Sequence, residues 1–91
     1  MKSYFVYVLT NFTNKTLYIG VTNSIERRLL EHSLKSSSFV QRYKLRKLVH
    51  VEEYGDIREA IRREKQLKNW HRDWKIKLIT DNNPDYKDLF Y

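Results

Sequence analysis

Two short segments rich in β-branched and aromatic residues constrain the fold of this chain more than any other feature. They span Tyr4–Thr10 and residues 17–21. Side chains of these types favour extended backbone, and the residues between them, 11–14, are of the kinds that form turns. The pattern predicts a β-hairpin close to the start of the sequence.

The register of this hairpin decides where its tyrosines lie. If residues 11–14 form the loop, Thr10 pairs with Lys15 and Tyr7 lies directly opposite Tyr18. Directly opposed residues of an antiparallel pair project from the same face of the sheet, so the two phenols would come together. Gly20 has no side chain, and it would leave that face open for a ligand to approach.

The rest of the chain predicts one more strand and three helices, with a polar loop at residues 35–38. The elements are a helix capped by Asn23 or Ser24 and ending near residue 34, a strand over Lys47–Tyr54, a helix capped by Asp56 and ending near residue 70, and a last helix over about residues 73–80. Together they predict a single α/β domain over residues 1–91. Its centre would be a small, mainly antiparallel three-stranded sheet flanked by helices.

The charge of the chain favours a polyanionic partner. The sequence contains 18 Lys and Arg against 11 Asp and Glu, which gives a net charge of +7. Two basic runs, residues 42–47 and 62–68, lie close in sequence to Tyr43, Trp70 and Trp74. Aromatic side chains beside cations can stack on bases while the cations meet phosphates. A solvated basic surface with aromatics that anchor the core would have the same composition.

Several classes of protein are excluded by what the sequence lacks. There are no cysteines, so disulfides and thiolate metal sites are excluded. With Gly20 and Gly55 as its two glycines, the chain has no phosphate-binding glycine loop, and it contains no His-Glu-x-x-His zinc motif. No apolar run has the length of a membrane span or the pattern of a signal peptide. We therefore expect a cytoplasmic monomer that does not associate with membranes.

The helix after the third strand carries a carboxylate in an unusual place. Its inward stripe at helical spacing consists of Ile57, Ala60, Ile61 and Leu67. Glu64 falls in the middle of this stripe, where a carboxylate has to be paired, protonated or bound to a metal, because an isolated buried charge is very costly. From the residues alone, a salt bridge to Lys68 is the simpler interpretation, and a metal site is the alternative.

These features resemble the GIY-YIG nuclease superfamily, and its small stand-alone members in particular. Phe5-Val6-Tyr7 stands in the place of the first signature tripeptide, and the second is intact as Tyr18-Ile19-Gly20. A basic helical segment, residues 25–32, and a later one, residues 63–70, complete the pattern. The resemblance covers nearly the whole chain.

The resemblance implies a metal-dependent endonuclease that hydrolyses phosphodiester bonds in nucleic acid, DNA rather than RNA, in repair or recombination. The catalytic residues that it implies are Tyr7, Tyr18, Arg28 and His32. Glu64 would bind one divalent cation, Mg²⁺ or Mn²⁺, and all five residues would converge on one cleft. The residues expected to contact nucleic acid are Gly20, Arg27, Lys68 and Asn83.

In the implied mechanism, one of the two phenols deprotonates or orients the attacking water. Arg28 offers a planar fork to the phosphate oxygens, and His32 contacts phosphate or relays a proton. Two alternatives remain open. The degenerate Phe5-Val6-Tyr7 tripeptide is compatible with a nucleic-acid-binding module of the same fold that does not cleave, and a protein-interaction domain would keep the scaffold alone.

Overall fold

A computed structural model of the protein describes residues 2–11, 13–34 and 47–90, with the side chains of residues 31–34 left out. The expected polar loop at residues 35–38 and most of the first basic run lie outside the described residues. The described elements are strands β1 (Tyr4–Thr10), β2 (Leu17–Thr22) and β3 (Lys47–Tyr54), and helices α1 (Ile25–Leu34), α2 (Ile57–Asn69) and α3 (Arg72–Asn82). No helix in this part of the chain is long and apolar enough to cross a bilayer.

The three strands form one antiparallel sheet in the order β2-β1-β3, with β1 at its centre. The prediction of an α/β fold built on a small antiparallel sheet is confirmed. Two of the predicted helix caps are also confirmed, because the Ser24 hydroxyl accepts a hydrogen bond from the Arg27 amide at 3.2 Å and the Asp56 carboxylate accepts one from the Arg58 amide at 2.8 Å.

The hairpin register differs from the predicted one by two residues. Thr10 pairs with Leu17, and Tyr7 pairs with Gly20. The prediction that Thr10 pairs with Lys15, and that Tyr7 lies directly opposite Tyr18, is wrong. A shift of two residues leaves every side chain on its original face, so Tyr7 and Tyr18 still project from the same side of the sheet.

The side chain of Asn11 is the physical reason for the longer loop. Its Oδ1 atom accepts hydrogen bonds from the backbone amides of Lys15 at 3.0 Å and Thr16 at 3.4 Å. The Thr10 hydroxyl donates to the Thr16 carbonyl at 2.8 Å. Asn14 has a φ of 59°, a left-handed conformation that asparagine tolerates better than most residues. These contacts hold Lys15 and Thr16 within the loop, and strand pairing begins at Leu17.

The two faces of the sheet bury separate apolar clusters. On one face, Tyr7, Leu9 and Leu48 pack with the α1 residues Ile25 and Leu29. The other face carries the larger cluster, which joins Val6, Val8, Ile19 and Val49 to Ala60 and Leu67 of α2 and Ile79 of α3. Because neighbouring residues of a strand point to opposite faces, α1 lies on one side of the sheet and α2 on the other.

The start of β3 is held by residues near the end of the described chain. The Leu48 amide donates to the Asp88 carboxylate at 3.3 Å, and the Leu48 carbonyl accepts from the Leu89 amide at 2.7 Å. Strand β3 lies at one edge of the sheet. These two bonds therefore satisfy backbone groups that face away from β1.

Candidate active site on the α1 face of the sheet

Tyr7, Tyr18 and Arg28 meet on the face of the sheet that α1 covers. The ring centroids of the two tyrosines lie 6.3 Å apart, with an angle of 37° between the ring planes. Arg28 donates a hydrogen bond from Nε to the Tyr7 hydroxyl at 3.2 Å. Only Asn23 and Ser24 separate β2 from α1, and this short connection places the second turn of the helix directly beside the tyrosines.

The Tyr7 ring lies across Gly20, its partner on β2. A Cβ atom at position 20 would lie 2.5 Å from the Tyr7 hydroxyl oxygen and 2.6 Å from Cζ of the ring. The expectation that Gly20 leaves this face open for a ligand is therefore wrong, because the phenol fills the space. Glycine is needed here for the close approach of a tyrosine, and its backbone φ is an ordinary negative value.

The two phenols differ in their exposure to solvent. Tyr7 is buried, with 1% of its surface exposed, whereas Tyr18 is half-buried. Burial raises the pKa of Tyr7 above its ordinary value of 10.0, and the hydrogen bond from Arg28 offsets part of that increase. The same hydrogen bond raises the pKa of Arg28. At neutral pH the cluster thus consists of a neutral buried phenol, a guanidinium ion and a second phenol that solvent can reach.

Two further predicted site residues lie on α1. Arg27 is exposed, and its guanidinium donates to the Asn23 side chain. His32 lies one helical turn after Arg28, but its side chain is outside the described residues.

Glu64 lies on α2, the helix that packs on the other face of the sheet. Its side chain is 16% exposed and forms a salt bridge of 3.4 Å with Lys68, whose side chain is 53% exposed. This is the pairing that the residues alone suggested. The apolar stripe around Glu64 is only partly formed, since Ala60 is buried but Ile61 is 37% exposed.

The predicted convergence of five residues is therefore observed for three of them, Tyr7, Tyr18 and Arg28. Among the described side chains, no three His, Asp or Glu residues are grouped so that they could hold a metal ion.

Asn83 has a structural role at the end of α3. Asn83 is 6% exposed, and its amide nitrogen donates to the carbonyls of Val49 at 3.2 Å and Lys87 at 2.8 Å. Its side-chain oxygen accepts from the Lys87 amide at 3.0 Å. A buried amide with these bonds ties the end of α3 to β3. The expected contact of Asn83 with nucleic acid stays a prediction.

A polar network on the α2 face was not predicted from the sequence. Glu52 accepts hydrogen bonds from Tyr54 at 2.7 Å and from two nitrogens of Arg63 at 2.8 and 3.1 Å, and His50 lies 2.8 Å away. Burial alone would raise the pKa of Glu52, but the hydrogen bonds with His50, Arg63 and Tyr54 lower it to about 2. One signal in the sequence was available, because residues 50, 52 and 54 alternate along a strand and so share a face.

Comparisons with known proteins agree with this fold. Residues 3–77 match the family model of the GIY-YIG catalytic domain. A UPF0213 protein of Syntrophus aciditrophicus is 40% identical over 86 residues, which cover 90% of this chain and 95% of that protein. A UPF0213 protein of Natronomonas pharaonis is 34% identical over 79 residues, which cover 86% of this chain and 92% of that protein.

A solved structure shows the same fold. The solution NMR structure of a UPF0213 protein from Bacillus halodurans superposes with a TM-score of 0.61 at 25% sequence identity. The match covers 94% of this chain and 92% of that chain.

Proposed function

Because the chain belongs to the GIY-YIG family, we propose that it is an endonuclease that hydrolyses phosphodiester bonds in nucleic acid, with DNA as the preferred substrate. The observation that carries this proposal is the contact of Arg28 with Tyr7 beside Tyr18. It brings a permanent cation and two phenols together on one face of a basic protein. The net charge of +7 favours a polyanionic substrate.

Arg28 would bind the phosphate. A guanidinium is planar and always charged, and it can offer two parallel N–H groups to phosphate oxygens. The hydrogen bond from Nε to Tyr7 fixes the plane of the guanidinium. Tyr7 is then a positioning residue, since it is buried and acts on the substrate through Arg28. His32, one turn further along α1, is proposed to contact phosphate or relay a proton.

Tyr18 is the better candidate for the phenol that orients the attacking water. It is half-buried, whereas Tyr7 is closed off from solvent. Burial also raises the pKa of Tyr7, which makes that phenol a poorer base at neutral pH. Arg28 beside the two tyrosines would favour the ionised form of whichever phenol gives up its proton.

Glu64 is proposed to hold one divalent cation, Mg²⁺ or Mn²⁺. The family's metal-binding glutamate lies on the helix after the third strand, and Glu64 stands at that position. A single carboxylate fits a Mg²⁺ ion that keeps several waters and completes its shell with substrate phosphate. When bound, the ion would polarise the scissile phosphate and stabilise the leaving oxygen. Lys68 would have to release Glu64 for this, and its exposed side chain is then available to a phosphate.

One observation favours a second candidate function, a nucleic-acid-binding module without cleavage. Glu64 already has a cationic partner in Lys68, and the buried residues of its helix pack on the face of the sheet opposite the tyrosines. In that case the basic surface binds nucleic acid, and the salt bridge of Glu64 with Lys68 contributes to the stability of the fold.

Cleavage assays on a panel of labelled substrates test the proposal. The panel contains single strands, blunt duplexes, forks and flaps, each with Mg²⁺, with Mn²⁺ and with a chelator. We expect cleavage that requires the ion and that is lost in Glu64→Gln and Arg28→Lys while both variants still bind. Binding without cleavage of any substrate by the wild-type protein would establish the non-cleaving module instead.

A further inference from the structure

An exposed tryptophan on α3 packs on Trp70, which contacts the apolar cluster on the face of the sheet opposite the tyrosines. Trp74 is in the first turn of α3, and 57% of its surface is exposed. Tryptophan is highly buried on average in folded proteins. An exposed ring of this size is available to stack on a ligand, and tryptophan is enriched at interfaces.

The Trp74 ring is held by a chain of contacts that leads back to the sheet. It packs edge-to-face on Trp70, with centroids 5.8 Å apart and an interplanar angle of 82°. The guanidinium carbon of Arg63 lies 5.0 Å from the centroid of the Trp70 ring. Arg63 is itself fixed by its two hydrogen bonds to Glu52 on β3. A ring that is oriented before binding loses little freedom when it receives a ligand.

The charge around this ring is positive. Residues 57–82, which form α2, α3 and their connection, contain eight Lys and Arg against four Asp and Glu. Arg72, Asp73 and Lys75 lie next to Trp74 in sequence. Lys75 Nζ donates to the Lys68 carbonyl at 3.4 Å, and the Lys68 side chain is half exposed on α2. A flat aromatic surface among cations suits a ligand that has both phosphates and accessible ring faces. In a duplex the bases are already stacked on one another, so an unpaired strand fits this surface better.

The start of α3 lies beside the hairpin that carries Tyr18. The Arg72 guanidinium donates to the carbonyl of Lys15 in the β1–β2 loop. Lys15 precedes Tyr18 by three residues, so Trp74 and Tyr18 lie towards the same end of the sheet on its opposite faces.

We propose that Trp74 is a stacking platform for an unpaired base, and that the substrate of this protein therefore contains a single-stranded segment. The inference rests on the proposed nucleic-acid substrate, but it does not depend on cleavage. The platform predicts that the protein binds single strands, flaps and forks more tightly than blunt duplexes.

Binding assays in the presence of a chelator test the platform separately from the nuclease. The probes are a labelled single strand and a blunt duplex of the same sequence. Trp74→Ala should weaken binding of the single strand by about five-fold to one-hundred-fold, the range found when one stacked base loses its aromatic partner. Its affinity for the duplex should stay within about two-fold. Trp74→Phe keeps a ring and should retain most of the affinity for the single strand.

Intrinsic fluorescence adds a readout that general damage to the fold would not produce. The single strand should quench the fluorescence of the wild-type protein, and most of this quenching should disappear in Trp74→Phe, which keeps Trp70. The matched control is Leu89→Ala, which trims another exposed apolar side chain (49% exposed) and should bind as the wild type does. Equal melting temperatures of the variants within a few degrees would show that the fold is intact.

Three results would overturn the platform. The first is single-strand binding that Trp74→Ala leaves unchanged, and the second is an equal loss of affinity for the single strand and the duplex. The third is a concentration-dependent self-association that Trp74→Ala abolishes. That result would show that a second copy of the chain contacts Trp74. Absence of cleavage together with binding that depends on Trp74 would refute the endonuclease alone. Cleavage together with single-strand binding that is unchanged in Trp74→Ala would refute the platform alone.

Discussion

The hydroxyl of Tyr7 occupies the space that a side chain on Gly20 would need, since an added Cβ would lie 2.5 Å from it. Gly20→Ala must therefore displace a ring that is 1% exposed and hydrogen-bonded to Arg28. We expect a loss of about 1–3 kcal/mol of unfolding free energy, as for other overpacked cores. Cleavage should fall as well, because the Arg28 guanidinium loses its support. Thermal unfolding and the cleavage assay measure the two effects.

Gly55→Ala is the matched control for that substitution. No atom lies within 4 Å of a Cβ added at position 55, and neither glycine has a positive φ. This change should be neutral, or should stabilise the fold by up to about 1 kcal/mol, because alanine lowers the conformational entropy of the unfolded chain. Equal destabilisation by the two alanines would show that contact with the Tyr7 ring is not what requires glycine at position 20.

Arg28→Lys should abolish most of the activity while the fold remains. Lysine keeps the charge but loses both the planar fork and the Nε contact with Tyr7. We expect a fall in kcat of about a hundredfold or more, the usual effect of removing a preorganised donor to a developing charge. Arg27→Lys makes the same change at the neighbouring exposed position and should stay close to wild type. Wild-type activity in Arg28→Lys would show that general phosphate attraction is the only role of Arg28, because lysine keeps the charge.

The Glu52 network predicts a specific dependence of stability on pH. The folded-state pKa of Glu52 is lowered from 4.5 to about 2, so its ionised form stabilises the fold above pH 4.5 and this contribution is lost as the pH falls towards 2. Glu52→Gln should lower the melting temperature at pH 7 by about 10 °C, from the loss of about 2 kcal/mol of charged hydrogen bonds. The difference between variant and wild type should shrink below pH 4.5.

Glu53→Gln provides the comparison for the pH experiment, because Glu53 is the exposed neighbour on the same strand. Its melting curve should follow that of the wild type at every pH. A difference between Glu52→Gln and wild type that stays constant from pH 7 to pH 2 would contradict the assignment of the lowered pKa to the folded network.

Melting temperatures with and without Mg²⁺ separate the two roles considered for Glu64. Its salt bridge joins it to a half-exposed lysine, so Glu64→Gln should cost no more than about 0.5 kcal/mol without metal. If Glu64 binds the ion, Mg²⁺ at ten times its Kd should stabilise the wild type by about 1.4 kcal/mol, and the variant should show no such shift. Glu59→Gln, an exposed carboxylate on the same helix, should keep the response to Mg²⁺.

Nucleic-acid binding should weaken steeply as salt rises. Cations that neutralise phosphates release condensed counterions, so the logarithm of the affinity should fall linearly with the logarithm of salt concentration. Lys68→Ala should reduce this slope by about one if Lys68 meets a phosphate. Titrations at several salt concentrations give the slope, and a flat dependence would count against a polyanionic partner.

The sequence predicted the elements closely because their signals are local. Strand β3 was predicted with its observed bounds, and the caps at Ser24 and Asp56 were identified by residue type. The hairpin register was missed because one Asn11 side chain holds residues 15 and 16 in the loop. Counting turn residues does not reveal such a contact.

The candidate site was predicted in part for a similar reason. Tyr7 and Tyr18 were correctly predicted to share a face despite the error in register, because a shift of two residues leaves each side chain on its original face. The face on which Glu64 lies depends on how α2 packs, and helical spacing within α2 carries no information about which side of the sheet it covers. The bonds from Glu52 to Arg63 and from Asn83 to Val49 join residues distant in sequence, so neither residue type nor spacing indicated them.

The two backbone bonds at Leu48 bear on how this protein behaves at high concentration. An edge strand is a template on which other chains can add a strand, and exposed edges promote aggregation. At Leu48 both outward backbone groups are already engaged, by Asp88 and by Leu89. Removing residues 88–90 would uncover the beginning of β3 and convert a closed edge into a site for intermolecular sheet growth.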